Sequence, residues 1–168
     1  MAGDYLDVFS STYNNVSFYW VISEYDIDFT NTTGEVEAIY SDVWVDPNNG
    51  VNEENIIGDI NNPFLTIDYA MGMIYSTEEN PITIHLTAGE ISPSNNNEVF
   101  PITMYSNMNL IGQSEEVTII DAEETGRVIT MYHCINNLIS DLTITGGYTY
   151  GFDYDDWAGG GMYLYFSN

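Results

Sequence analysis

Basic side chains are almost absent from this sequence of 168 residues. Arg127 is its one Lys or Arg against 26 Asp and Glu, which gives a formal net charge of −25 at pH 7. Proteins bind nucleic acids through Lys and Arg that displace counterions from phosphates, and polyanionic ligands and anionic membranes need the same attraction. The composition therefore excludes nucleic-acid binding and disfavours polyanionic partners. We expect Arg127 to form a surface ion pair with neighbours such as Glu123 or Glu124.

Cysteine and long apolar runs are also lacking. Cys134 is the only cysteine, so no disulfide forms within the chain, and its apolar surroundings predict a buried, inert thiol. The two histidines share no zinc-ligand spacing with it. No segment approaches the about 20 apolar residues of a membrane-spanning helix, so we expect no membrane insertion. The first residues lack the pattern of a secretory signal; the protein is therefore intracellular, or its signal is absent from this chain.

A repeated phrase is the main feature that the sequence does contain. Ile102–Tyr105 and Ile129–Tyr132 both spell Ile-Thr-Met-Tyr, and each is followed by Asn-Leu-Ile and then by VTIID or LTITG, at an offset of about 25 to 28 residues. Propeller blades need longer repeats, and leucine-rich repeats need more Leu. A parallel β-helix fits, because one coil cannot bury its apolar face until the next coil stacks on it. The alternative is a chance match within an ordinary β-sandwich.

Stacking of such coils predicts ladders of like residues: Ile102 under Ile129, Leu110 under Leu138 and Ile119 under Ile144. Short β-branched and aromatic runs, separated by turns rich in Asn, Gly, Ser and Glu, predict eight strands. Their segments are ITIHLT, FPITMY, MNLIG, VTIID, RVITMY, NLIS, LTIT and GMYLYF.

One amphipathic helix is predicted ahead of these strands, over residues 63–76, with Pro63 in its first turn. The first coil of such a repeat exposes apolar core and an unpaired strand edge. We expect the helix to cap that end with its apolar residues, which recur at three- and four-residue steps: Phe64, Ile67, Ala70, Met71 and Ile74.

Residues 1–40 differ in character from the rest. The segment VSFYWVISEYDIDF predicts a strand, TNTTGE a turn and EVEAIYS a second strand, which together predict a hairpin. This part resembles the last two strands of a fibronectin-type-III-like sandwich domain. The predicted division is therefore residues 1–40 and residues 41–168.

Residues 41–168 resemble a known family. The segments VWVDPNNG, NPFLTIDYAM, ITIHLTAGEISPSNNNEVFPI, NLIGQSEEVTIIDAEETGRVI and ISDLTITGG, with a later GGGMYL, are similar to the start of secreted bacterial right-handed β-helix proteins of pectin-lyase-like fold. The resemblance implies an all-β, right-handed parallel β-helix of few coils at an extracellular or cell-surface location. Leu65 stands where the family usually has Lys. Family members continue through further coils, so we expect this chain to be an excerpt of a longer β-helix.

The resemblance also raises the question of catalysis on polysaccharides. A lyase of this type needs a cluster of basic residues, which the composition excludes. Glycoside hydrolysis needs two carboxylates, and Asp155 and Asp156 are the candidates. The Gly-Asp-Asp, Gly-His-Gly and Arg-x-Lys motifs of polygalacturonase-like enzymes do not surround them. The alternative for Asp153, Asp155 and Asp156 is a solvated acidic loop.

Oxygen-rich turns suggest calcium, which prefers carboxylate and carbonyl ligands. The candidate ligands are Asp46, Asn48, Asp153, Asp155 and Asp156, although neither segment matches an EF-hand or a repeat-in-toxin motif. An acid-rich surface without ion sites, as in a saline habitat, is the alternative.

Aromatic residues crowd the Gly-rich segment around residue 150, and sugar rings stack on such faces. The predicted glycan-binding residues are Tyr148, Tyr150, Tyr154 and Trp157; the alternative is that they cover the segment's own apolar base. The leading hypothesis is a non-catalytic extracellular scaffold or adhesion module that contacts a polysaccharide or surface glycan. The alternatives are a polysaccharide hydrolase or lyase, and a filament subunit that self-associates through coil ends or N-terminal strands.

Overall fold

The computed structural model describes residues 9–13, 16–20, 38–53, 55–149 and 159–167. The chain divides into two compact units, Met1–Glu35 and Val36–Asn168. The division predicted from the sequence falls a few residues later, after residue 40.

The first unit contains a hairpin of β1 (Phe9–Tyr13) and β2 (Val16–Trp20), which pair antiparallel. The strand predicted in VSFYW is confirmed, but its partner precedes it, across the shortest common hairpin connection. The predicted turn at residues 30–35 lies outside the described residues. Of the predicted second strand, residues 35–37 also lie outside the described residues, and Ile39 forms a parallel bridge with Ile74 in the second unit.

The second unit is mostly strand. All eight strands predicted from the repeat region are confirmed, and β5 is an additional strand, too short and Gly-rich to be recognised in the sequence. The ten strands are β3 (Val43–Val45), β4 (Ile82–Leu86), β5 (Gly89–Ile91), β6 (Ile102–Met104), β7 (Met108–Ile111), β8 (Thr118–Asp121), β9 (Ile129–Tyr132), β10 (Ile139–Ser140), β11 (Thr143–Thr145) and β12 (Met162–Tyr165).

These strands form three sheets in which every pairing is parallel. The orders are β3-β4-β7-β10, β5-β8-β11 and β6-β9-β12. From β4 onward the chain visits the three sheets in rotation, and we call each passage through all three a coil. Each coil therefore lies on the one before it, and the predicted all-β class is confirmed.

The register of the third sheet agrees with the predicted ladder. Ile102 pairs with Ile129, and both side chains are buried. In the first sheet the predicted pair is wrong by one residue: Leu110 lies beside Ile139, while Leu138 is 49% exposed. Successive side chains of a strand point to opposite faces, so a shift of one residue exchanges inside for outside.

The second sheet shows the same shift. Ile144 pairs with the buried Ile120, whereas the predicted partner Ile119 lies beside Thr143. Both adjacent isoleucines of the VTIID segment are apolar, so alternation in the sequence did not decide which one faces inward.

Helix α1 (Ile67–Met73) is shorter than the predicted helix. Residues at both ends of the predicted range are extended, because Phe64 bridges to Val45 and Ile74 bridges to Ile39. Thr66 caps the helix, and its hydroxyl oxygen accepts the Tyr69 N–H at 3.2 Å. The prediction that Pro63 begins the helix is wrong, but all five apolar residues assigned to its inner face are buried in the core.

The backbone edge of β3 is covered by residues 58–64. Trp44 N–H donates to the Gly58 carbonyl at 2.7 Å, Asp46 N–H donates to the Phe64 carbonyl at 2.9 Å, and Phe64 N–H donates to the Trp44 carbonyl at 2.9 Å. Helix α1 packs against β3 and β6. The edge of the first sheet is therefore closed in hydrogen bonds by the chain itself, and α1 adds apolar contact beside it.

A second helix, α2 (Pro93–Asn96), was not predicted. Ser92 caps it, Pro93 occupies its first turn, and Asn97 ends it in the left-handed region with φ 59°. Among the described residues, no helix is long and apolar enough to cross a membrane.

Candidate functional site

The predicted calcium ligand Asp46 is engaged in a turn. Its Oδ1 accepts the N–H groups of Asn48 at 2.9 Å and Asn49 at 3.2 Å, and its Oδ2 accepts from Asn49 Nδ2. Asn48 Nδ2 donates to the Ala88 carbonyl at 3.1 Å. Burial disfavours the charged carboxylate, but these donors outweigh burial and lower the pKa of Asp46. These contacts hold the DPNNG turn against the start of the next coil.

Most of the other predicted site residues lie outside the described part of the chain. They are Tyr150, Asp153, Tyr154, Asp155, Asp156 and Trp157. Tyr148 is described: its N–H donates to the Gly126 carbonyl at 2.8 Å, and its side chain is exposed. Within the described ranges, no group of three Asp, Glu, His or Cys side chains could hold a metal ion.

Arg127 lies over an aromatic ring. Its guanidinium carbon is 4.7 Å from the centroid of Tyr163, a cation–π contact of about 0.5–1 kcal/mol at an exposed site. Among the described residues, neither Glu123 nor Glu124 forms an ion pair with it, so the pairing predicted with those two neighbours is not found there. The reason lies in coil stacking, which places the Ser94 hydroxyl beside Glu123, where it donates to the carboxylate and lowers its pKa.

Glu98 is a buried carboxylate that the sequence did not indicate. It is 3% exposed, and it accepts the N–H groups of Ile67 at 2.7 Å and Asp68 at 3.0 Å, at the start of α1. Burial raises the pKa of Glu98, the nearby Asp68 carboxylate adds to the rise, and the N–H donors reduce it. The role of this group is to anchor α1 to the following coil.

A small polar cluster lies on the outer face of the first sheet. His85 stacks on Trp44, with ring centroids 4.8 Å apart, and its Nε2 is 3.6 Å from Asp42 Oδ2. Asp42 Oδ1 also accepts the Thr83 N–H at 2.8 Å. These contacts join the outward side chains of β3 and β4 and leave little of the Trp44 face for a ligand.

Exposed aromatic rings gather where the third sheet ends, and we call Tyr132, His133, Tyr165 and Phe166 the aromatic strip. Tyr165 pairs with Tyr132 in register across β12 and β9. Their ring centroids are 6.4 Å apart, and the His133 ring is stacked on Phe166 at 5.5 Å with 7° between the planes. Tyr132, Tyr165 and Phe166 are 51%, 43% and 75% exposed.

The backbone at this strip is unusual. His133 and Phe166, each the first residue after its strand, have φ values of 53° and 50°. Bulky residues rarely adopt the left-handed region, which costs about 1–3 kcal/mol each. Hydrogen bonds hold the conformation: His133 N–H donates to the Tyr165 carbonyl at 2.9 Å, and Cys134 N–H donates to Ser167 Oγ at 3.0 Å.

Tyr132 and Tyr165 form a column of exposed tyrosines along the third sheet, and Tyr105 extends this column into the preceding coil. It follows Met104, which pairs with Met131, so Tyr105 occupies the place of Tyr132 in the preceding coil, and it is also exposed. These tyrosines were not among the predicted site residues, although the repeated Ile-Thr-Met-Tyr phrase contains Tyr105 and Tyr132. Aromatic side chains that combine an apolar face with a polar edge are suited to contact with sugar rings.

Comparison with known proteins gives no relative. No protein-family model matches the chain, and neither a curated protein nor a solved structure shows detectable similarity to it. The resemblance to pectin-lyase-like proteins is therefore supported only at the level of architecture, by strands in parallel sheets with few helices.

Proposed function

We propose that residues 36–167 form a right-handed parallel β-helix that serves as a non-catalytic extracellular scaffold or adhesion module and contacts glycans. The observation that carries the proposal is the rotation of the chain through three parallel sheets, with strands of successive coils in register. Right-handedness follows the rule that about 98% of parallel crossover connections obey.

Regular columns of outward side chains support a display role. Tyr132 and Tyr165 pair in register at the end of the third sheet and are 51% and 43% exposed, and Tyr105, 57% exposed, holds the same place one coil earlier. A frame that repeats its outer side chains at a fixed rise suits a partner that also repeats, such as a polysaccharide chain.

The position of Arg127 argues against the lyase alternative. A lyase acting on an anionic polysaccharide needs a basic group for proton abstraction and further cations to hold the substrate. The chain has one basic side chain, and it lies over Tyr163.

Two assays on the full chain test the proposal. We expect glycan binding without turnover, measured as retention on immobilised polysaccharides together with the absence of new reducing ends or unsaturated products. Turnover that is lost when Asp155→Asn and Asp156→Asn are combined would replace the scaffold with a hydrolase. The location is tested by antibody labelling of intact cells, which we expect to stain.

A further inference from the structure

We infer that the aromatic strip is the binding surface for a neutral glycan chain that runs across the coils. This inference rests on the proposed function, whose glycan contact it locates. The residues concerned are Tyr132, His133, Tyr165 and Phe166, with Tyr105 continuing the column into the preceding coil.

The first argument is the exposure and grouping of the rings. Large aromatic side chains normally bury most of their surface, but Tyr105 and Tyr132 remain 57% and 51% exposed although a further coil is stacked on each of them. The ring centroid of Tyr165 is also 4.7 Å from that of Phe166, in an edge-on contact, and 5.7 Å from that of His133. The rings therefore support one another into a continuous surface, while their outer parts remain accessible to a ligand.

The second argument is backbone strain. His133 and Phe166 adopt the left-handed region at corresponding corners of successive coils, where Gly or Asn would fit at little cost. Strain of this kind persists where the surroundings enforce it, and it is common at ligand-binding positions. The strained corners place the two rings one above the other, nearly parallel.

The third argument is charge, which selects among ligands. With 26 acidic residues against one basic residue, the chain repels uronate-containing and sulfated polysaccharides. The same net charge of −25 on each copy opposes contact between two copies of this chain. A neutral glycan meets no such repulsion, and the C–H faces of its sugar rings stack on aromatic side chains.

The fourth argument is spacing. Neighbouring strands of a sheet lie about 4.8 Å apart, so the backbones of Tyr105, Tyr132 and Tyr165 follow one another at about that rise, and the ring centroids of Tyr132 and Tyr165 are 6.4 Å apart. These two spacings bracket the length of one pyranose unit in an extended β-linked chain. The geometry therefore favours an oligosaccharide that contacts about one aromatic residue per coil.

The test is isothermal titration calorimetry of the full chain with four neutral hexasaccharides, namely cellohexaose, laminarihexaose, xylohexaose and mannohexaose. We expect at least one to bind. Tyr132→Ala and Phe166→Ala should each weaken that binding about three- to tenfold, since an aromatic stacking contact contributes about 0.5–1.5 kcal/mol. Tyr40→Ala is the matched control, because Tyr40 is equally exposed and lies at the opposite end of the unit, against Tyr75.

Phe166→Gly separates loss of binding from loss of folding. Glycine relieves the positive φ of 50°, so this variant should keep or raise the melting temperature while its binding falls as in Phe166→Ala. A fall in both quantities would mean that the ring acts only in packing, and it would overturn the inference.

The remaining outcomes show whether the proposed binding site, the ligand class or the proposed function is at fault. If the chain binds a hexasaccharide and the strip variants bind equally well, the site is wrong and the proposed function stands. If none of the four binds while other immobilised polysaccharides retain the chain, the ligand class is wrong. Binding of polygalacturonate as tight as that of the neutral sugars would refute the charge argument. A dimer in sedimentation velocity that Phe166→Ala dissociates would make the strip a contact between copies.

Discussion

The two ends of the stacked sheets differ in how they are terminated. At the N-terminal end, residues 58–64 occupy the backbone edge of β3, and α1 packs beside it. At the other end, β10, β11 and β12 are the outermost strands of their sheets among the described residues. The chain itself thus covers the N-terminal edge of the first sheet, whereas among the described residues no strand pairs with the outer edges of β10, β11 and β12.

One column of inward residues shows the consequence. Met104, Met131 and Leu164 occupy equivalent positions in β6, β9 and β12, and their exposed fractions are 1%, 3% and 50%. Burial of an inward side chain therefore depends on the coil above it as much as on the sequence of its own strand. This dependence explains why the repeated phrase has to recur.

The largest predicted effect comes from a substitution in the middle of this column. Met131→Ala removes a buried side chain between two coils, and we expect it to lower the free energy of unfolding by about 2–5 kcal/mol. Leu164→Ala, at the equivalent but half-exposed position, should cost less than half as much. Urea denaturation measures both, and equal losses would show that the coils do not shield one another.

The next largest effect tests how closely the backbones of successive coils approach each other. A Cβ at Gly112 would lie 2.0 Å from the Asp141 carbonyl oxygen of the following coil, so we expect Gly112→Ala to cost about 1–3 kcal/mol. Gly72→Ala is the control, because nothing lies within 4 Å of a Cβ there. In helix α1 that change should stabilise by about 0.5–1 kcal/mol. A harmless Gly112→Ala would contradict the stacking of residue 112 under residue 141.

A smaller effect is the pH dependence of folding stability that arises from Glu98, at the start of α1. Because burial raises the pKa of Glu98 in the folded state, the folded protein binds protons more readily there, so this group favours folding at low pH. That contribution is lost as pH rises through the folded pKa. We therefore expect Glu98→Gln to flatten the decline in stability as pH rises above the ordinary pKa of a glutamate.

Glu116→Gln is the control, because the pKa of Glu116 is shifted in the opposite direction to that of Glu98. The Ser114 hydroxyl lowers the pKa of Glu116, so the contribution of Glu116 is present at neutral pH and is lost as pH falls. If thermal unfolding across pH shows the same slope for wild type and Glu98→Gln, burial does not raise the pKa of Glu98 in the folded protein and this account of the pH dependence is wrong.

The smallest expected effect is that of calcium. We expect millimolar Ca²⁺ to raise the melting temperature slightly at fixed ionic strength, through the acidic candidates Asp153, Asp155 and Asp156. Asp46→Asn should leave this response unchanged, because the Asp46 oxygens already accept the N–H groups of the DPNNG turn. A response that disappears in Asp46→Asn would place the ion at that turn instead.

Much of the architecture was predictable because a repeated phrase demands stacking. The pairing of Ile102 with Ile129 followed directly from it. The one-residue error at Leu138 arose because Leu138 and Ile139 are both apolar. The preceding corner decides between them: Asn137 Nδ2 donates to the carbonyls of Tyr105 and Met108, and Leu138 is left outside.

The candidate site was less predictable. Aromatic density drew attention to the segment around Tyr148, whereas the aromatic strip depends on which side of β9 and β12 faces outward. It depends further on left-handed corners at His133 and Phe166, for which neither residue type is a signal. Such local conformations are imposed by neighbouring coils and are not encoded in a short segment.

The central claim is that successive coils lie in parallel register, and a cysteine cross-link tests it most directly. The Oγ1 atoms of Thr103 and Thr130 are 3.2 Å apart, so the double variant Thr103→Cys, Thr130→Cys should form a disulfide on mild oxidation, detected by mass spectrometry of peptides. The control combines Thr103→Cys with Thr143→Cys, on a different sheet, and should not cross-link. A disulfide in the control pair, with none between positions 103 and 130, would contradict the stacked-coil account.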